Sequence, residues 1–401
     1  MAKPIRRRKG RRRIIAWTLT ILIGRWMLSV TSAPSIATME PHAPPAFVSP
    51  TPRCGSTLTA YPLNRFEITI AAIDPDPSES VRIEAAGPPP GFGPASADPS
   101  GGVTKIVDAW TPGPSQAGST DRVEFDAVDM EGIGTSCAVT IRVPSIEYVA
   151  LGDSFSSGEG VPDFIGGTKC HRSVSAYPLV FAAAVDIMRV RFAACSGAKI
   201  PNILNRGQHK EPRQLDALEP ATTLITLTIG GNDATFGKTV FECVTLPRCD
   251  VLLGESTRRR IAGLQLALFD LYASIRASAK HAPIFVLGYP RLLTEARKKF
   301  QDCHGLGKHE RRWIDSMGGL LDSVIQEAVR ELDERHPDEP PIVFVPTAET
   351  FRTHEGCGES PWINPLMVLH HHEFSLHPNA AGQRALAMAL MTAFRNIYPN
   401  P

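Results

Sequence analysis

Hydrophobic and polar residues repeat with two different periods along this chain, and the change falls near Pro144. Before it, apolar positions recur every second residue in short runs: Phe66-Glu67-Ile68-Thr69-Ile70, Val123-Glu124-Phe125-Asp126-Ala127 and Val139-Thr140-Ile141-Arg142-Val143. A period of two puts alternate side chains on one face of a strand. Gly87–Pro90 and Gly91–Pro94 punctuate the runs, and no helical period appears. Residues 52–144 are therefore expected to form a small all-β sandwich. Residues 38–51, rich in Pro, Ser, Thr and Ala, read as a linker into it.

After Pro144, apolar runs of strand length alternate with helical periods. Ile146–Leu151, Val190–Ala193, Leu224–Ile229, Ile284–Leu287 and Ile342–Val345 read as strands. Tyr177–Val185 and Ala380–Arg395 read as helices. Ile261, Leu264, Leu268, Leu271 and Ile275 fall on one helical face, as do Ile314, Met317, Leu321, Ile325, Ala328 and Leu332. This alternation predicts an α/β domain over 146–401, a parallel sheet covered on both faces. In such sheets ligands bind beyond the carboxyl ends of the strands.

Composition changes the picture at the amino terminus. The chain has 401 residues, 42 Lys+Arg and 41 Asp+Glu, a formal charge of +1. The first 37 residues carry nine of the basic residues and no acidic one, so the remainder has 33 against 41, a charge of −8. That excess of negative charge argues against a nucleic-acid or anionic-membrane partner. Lys3 to Arg13, the apolar run Ile14–Val30 and the small-residue triplet Ser35-Ile36-Ala37 have the order of a secretory signal peptide, 1–37. An uncleaved anchor is the alternative, although Arg25 interrupts the run. Export makes the eight cysteines, Cys54, Cys137, Cys170, Cys195, Cys243, Cys249, Cys303 and Cys357, read as disulfide partners. No pair has CxxC spacing, which weakens a zinc reading.

Four polar segments stand where an α/β sheet places chemistry. Gly152-Asp153-Ser154-Phe155-Ser156-Ser157-Gly158-Glu159-Gly160 follows the first strand, and Ala194-Cys195-Ser196-Gly197-Ala198 follows the next. Gly230-Gly231-Asn232-Asp233 ends Leu224–Ile229, placing an amide donor over the cleft. Ser375-Leu376-His377-Pro378-Asn379 precedes the last helix, a placement that suits a positioned base. Taken singly, the first segment reads equally well as a simple turn, and the second reads better as a simple strand-to-helix turn.

Together and in this order, the four segments resemble the SGNH, or GDSL-type, esterase/lipase superfamily over 146–401. The longer matches resemble its secreted actinobacterial esterase and phospholipase branch. The resemblance implies a three-layer α/β/α fold with Ser154 as nucleophile and His377 as general base. It also implies oxyanion donors from Ser154, Gly197 and Asn232. The superfamily commonly has Asp three residues before the His, where this chain has Phe374. The secreted branch uses a main-chain carbonyl there, which implies a Ser154–His377 dyad with the Phe374 carbonyl as orienter. Glu349, Glu355 and Glu373 are the carboxylates to weigh against that reading. The branch also implies three disulfides in sequential pairs, Cys170–Cys195, Cys243–Cys249 and Cys303–Cys357; the residues alone leave 15 connectivities. Cys54 and Cys137 lie alone in their domain and are expected to pair. The stretch Phe125-Asp126-Ala127 through Gly132 to Val139-Thr140-Ile141 resembles extracellular immunoglobulin-like modules.

The resulting expectation is a secreted serine hydrolase of carboxylic esters, with lipid, phospholipid acyl and acylated-sugar esters left open as substrates. It needs no cofactor and no metal. His370-His371-His372 is a poor metal site, because adjacent side chains point in different directions. Asp153 and Asp233 are a poor glycosidase pair, because each flanks a better-explained residue. The expected partner is the ester substrate of a monomeric chain. The amino-terminal module is left for contact with the cell surface or a polysaccharide, or for a spacer role, with Trp110 its only Trp. The rival from another class is an extracellular adhesion protein on a degenerate hydrolase scaffold, which ester turnover would exclude.

Overall fold

The structure, a computed structural model, describes residues 43–398 apart from 77, 99–101, 168, 294–304 and 368–371. The expected leader 1–37, Cys303, His370 and His371 lie outside the described residues.

The amino-terminal part is two four-stranded sheets. One has the order β1 (Ala46–Val48), β3 (Phe66–Ile73), β6 (Val103–Trp110), β5 (Gly93–Asp98). The other has the order β2 (Thr57–Thr59), β8 (Gly134–Arg142), β7 (Thr120–Val128), β4 (Arg82–Ala86). The alternation seen in the sequence decides which residues face inward. Ile68 and Ile70 of β3, Val123 and Phe125 of β7, and Val139 and Ile141 of β8 are buried against Trp110. Cys54 is bonded to Cys137 on β8. One segment read as linker is a strand: Ala46–Val48 pairs antiparallel with Ala71–Ile73. Three residues between prolines show no period, and an edge strand tolerates flanking Pro.

The second part has one five-stranded parallel sheet in the order β10 (Val190–Phe192), β9 (Tyr148–Ala150), β11 (Leu224–Leu227), β12 (Ile284–Leu287), β13 (Ile342–Val345). Every residue of its central strands β11 and β12 is buried, Thr226 included, because both faces are covered. Helices α2 (Tyr177–Ala184) and α8 (Ala380–Ile397) cover one face. On the other lie α3 (Ile200–Leu204), α4 (Phe236–Thr245), α5 (Cys249–Ala262), α6 (Gln265–Ser278) and α7 (Lys308–Arg335), while α1 is the single turn Ser154–Ser157. The apolar face read through Ile261 to Ile275 is split between two helices. Gly263 and Leu264 separate α5 from α6, yet Ile261, Leu268, Leu271 and Ile275 are all fully buried. Periodicity marks the face and is blind to a short break that keeps it in phase. Among the described residues, no helix is long and apolar enough to cross a membrane.

The sandwich packs directly on the α/β part. Leu63 is 2% exposed and belongs to the large core, and its carbonyl accepts from Tyr398 Oη at 2.9 Å. The Tyr61 ring stacks on His281 with centroids 3.8 Å apart.

Candidate active site

In this strand order, β9 and β11 are neighbours although β10 lies between them in sequence, so the chain reverses its direction of travel across the sheet there. The carboxyl ends of those two strands are the topological switch point, where ligands bind in open α/β sheets. Ser154 follows β9 and Asn232 follows β11, which brings the first and third sequence segments together. Gly197, after β10, and His377, before α8, complete the group. The His377 Nε2 to Ser154 Oγ distance is 2.7 Å.

The turn carrying Ser154 is fixed from below. Gly152 has φ +123, and a Cβ there would lie 2.5 Å from the Thr228 carbonyl, so only glycine fits. Gln214 bridges both main-chain groups of Gly152, accepting from its N–H at 2.7 Å and donating to its carbonyl at 2.8 Å. Asp153 caps α1 by accepting from Phe155 N. Its other partners are Thr228 Oγ1, which donates at 2.7 Å, and the Tyr289 hydroxyl. Tyr289 Oη also accepts from Gly231 N at 2.9 Å. One buried carboxylate thus couples the Ser154 turn to the loop of Asn232.

The Gly197 and Asn232 loops are joined as well. Asn232 Nδ2 donates to the Ala198 carbonyl at 3.0 Å, and Asp233 accepts from Ile200 N at 3.1 Å. Cys170–Cys195 ties the segment after Ser154 to the Gly197 loop, beside a hydrogen bond from Ser196 N to the Cys170 carbonyl at 3.0 Å. Cys243–Cys249 closes the turn between α4 and α5. The pairing expected for Cys357 has its partner Cys303 outside the described residues.

The imidazole environment differs from the expectation at one atom. The Phe374 carbonyl accepts the main-chain N–H of His377 at 3.2 Å, closing the turn that follows a single 3₁₀ turn, His372–Phe374. Nδ1 of His377 is buried and has no hydrogen-bond partner among the described residues. Burial lowers the imidazole pKa to about 4; the main-chain carbonyls of Ser375 and Glu373 act in the opposite direction. Glu355 pairs with Arg291 at 3.8 Å, and Glu349 pairs with Arg352. Burial also raises the Asp153 carboxyl to about 6, against the hydrogen bonds it accepts from Tyr289, Thr228 and Phe155. Asp233 is raised to about 6, again by burial.

Ser154, Gly197, Asn232 and His377 all line a cleft of about 700 Å³. Much of its apolar wall comes from α4 and α7, with Phe236, Val240, Phe241, Ile314 and Leu321, and α7 also brings Asp315 and Asp322 to it. A nucleophile, a base and convergent N–H donors at the head of an apolar trough can perform acyl transfer on a carboxylic ester. Residues 150–385 match the GDSL-like Lipase/Acylhydrolase family. The chain belongs to this family. As a GDSL-like acylhydrolase it is a carboxylic ester hydrolase. It is 34% identical over 239 residues to Lipase 1 of Streptomyces coelicolor, covering 59% of this chain and 82% of that one. The crystal structure of an extracellular lipase from Streptomyces rimosus superposes with a TM-score of 0.55 at 30% identity, over 62% of this chain and 100% of that one. Phospholipase A1 from Streptomyces albidoflavus gives 0.53 at 31% identity, over 62% and 98%. The sandwich lies outside the family match.

Sequence reasoning missed two residues of this acylhydrolase site. In the sequence Asp153 reads only as a neighbour of Ser154, and Tyr289 carries no motif. Tyr289 lies just past the carboxyl end of β12, the same placement rule that picked out Ser154 and Asn232. Applied to every strand, that rule would have found it.

Proposed function

We propose that the protein is a secreted serine esterase that cleaves carboxylic esters with apolar acyl chains through an acyl-enzyme formed on Ser154. The carrying observation is the 2.7 Å contact of Ser154 Oγ with His377 Nε2 at the head of the apolar cleft. His377 takes the Ser154 proton as the oxygen attacks the ester carbonyl. Negative charge on the carbonyl oxygen is met by the main-chain N–H groups of Ser154 and Gly197 and by Asn232 Nδ2. The second Nδ2 hydrogen is available for this, since the Ala198 carbonyl takes only one and holds the amide in place. Collapse of the tetrahedral species passes the proton from His377 to the leaving alcohol. Water then repeats the sequence and releases the acid. Among the described residues no carboxylate bonds the imidazole, and only the main-chain carbonyls of Ser375 and Glu373 favour its charged form, so the base works as a dyad. The named lipases and the phospholipase A1 among its relatives favour lipid esters, and the aromatic and aliphatic cleft walls support the same choice. The signal-like segment 1–37 and the extracellular lipase among its relatives favour export.

Ser154→Ala tests the assignment. It removes one oxygen, and turnover of p-nitrophenyl esters should fall by roughly 10⁶, as for loss of a triad nucleophile, with circular dichroism unchanged. Ordinary turnover by the folded variant would place the nucleophile elsewhere.

A further inference from the structure

The sandwich carries a second group of reactive side chains, unconnected with the ester site. Asp74 and Glu79 lie on the segment that leaves β3 and crosses to β4 in the other sheet; Asp129 opens the turn from β7 to β8. One carboxylate oxygen from each of these three residues lies within 4.8 Å of the other two. Asp74 and Asp129 are only 6% and 7% exposed. Each uses Oδ1 locally: Asp74 accepts from Asp76 N at 2.8 Å, and Asp129 from Glu131 N at 3.0 Å and Ile133 N at 2.8 Å. The Oδ2 atoms of Asp74 and Asp129 are buried and accept no hydrogen bond from the described residues. The nearest basic residue along the chain, Arg82, is paired with Glu84 at 2.6 Å.

We propose that Asp74, Glu79 and Asp129 form a calcium site that clasps the β3–β4 crossing to the β7–β8 turn. Two buried carboxylate oxygens that converge without a hydrogen-bond donor, as Oδ2 of Asp74 and of Asp129 do among the described residues, are costly, and a bound cation would relieve their repulsion and supply a partner. The donors are all oxygen, which selects a hard cation over zinc or copper. They come from two irregular loops and not from a rigid octahedral cage, which suits Ca²⁺ better than Mg²⁺. Main-chain carbonyls and water would complete the shell. Because β3 belongs to one sheet and β4, β7 and β8 to the other, the ion would brace one end of the sandwich and leave Ser154 untouched.

The test uses the full chain after EDTA treatment and desalting, titrated with CaCl₂ by calorimetry and followed by thermal melting. One Ca²⁺ should bind per chain, and the melting temperature should rise by about 5–10 °C at a hundred times Kd. Asp74→Asn and Asp129→Asn keep the Oδ1 acceptor and remove the charge. Both should lose the calcium response, and in EDTA both should melt at or above the parent because repulsion is relieved. Three results would overturn the site: no heat and no shift in the parent, an undiminished shift in both variants, or an equal shift with MgCl₂. The parent titration decides even if a variant fails to fold.

Discussion

Acidification is the perturbation that best separates a dyad from a triad here. A base held by a carboxylate keeps its proton readily, because the imidazolium has a negative partner. Among the described residues His377 has no such partner: Nδ1 is buried and unbonded there, and burial takes its pKa from 6.5 to about 4. At pH 5 about 90% of such a histidine is neutral, against about 3% for an ordinary one, a thirtyfold difference in competent base. The assay is kcat/KM on a short, soluble p-nitrophenyl ester between pH 4 and 8, since this ratio reports the free enzyme. The acid limb should lie between pH 4 and 5. Stability must be followed in parallel. The folded pKa of His377 is below its unfolded value, so this group's contribution is complete above pH 6.5 and falls as pH drops toward 4, by ~3 kcal/mol in all. Asp153 is raised to about 6 and could contribute a limb of its own. Asp153→Asn would remove that limb. A limb at pH 6–7 that persists in Asp153→Asn would refute the dyad and require a carboxylate on the imidazole.

Asn232→Ala should lower kcat by ~10²–10³ with little change in KM, because the amide meets charge only in the transition state; an effect confined to KM would make Asn232 a substrate-binding residue. Asp322 is half-buried beside Tyr289, accepts from its N–H at 2.8 Å, and desolvation raises its carboxyl to about 7. A raised carboxyl binds its proton more tightly in the folded state, so its stabilising contribution is present below pH 3.8 and lost as pH rises through 7. Asp322→Asn, permanently neutral, should therefore raise the melting temperature at pH 8, by an amount on the order of 4 kcal/mol at most, and give no gain at pH 4. Calorimetric melts at the two pH values check this.

Much of the fold was readable because it depends on local periods. The runs 66–70, 123–127 and 139–143 alternate, and each lies in a strand with its apolar set inward. The Ile284–Leu287 run is continuously apolar and Leu224–Ile229 is broken only by Thr226 and Thr228, and their strands are buried on both faces. What escaped depends on distant partners. Ala46–Val48 is a strand only because Ala71–Ile73 offers it an edge. The link from Asp153 through Tyr289 to Gly231 joins residues more than 130 positions apart along the chain, and no spacing in the sequence announces it. The imidazole's setting was half legible. Phe374 in place of Asp signals a missing carboxylate, but the turn that draws the Phe374 carbonyl onto the His377 main chain is visible only in three dimensions.

The contacts of Leu63 and Tyr61 with Tyr398 and His281 have a consequence for reach. A module on a flexible tether lets an enzyme sweep a volume around its anchor point. This one is bolted on through a shared core, so the mouth of the cleft has a fixed bearing relative to the sandwich. Any surface that the sandwich met would present its esters from one direction only, and a truncated enzyme beginning after Pro144 would lose that compass along with the cover over Tyr398.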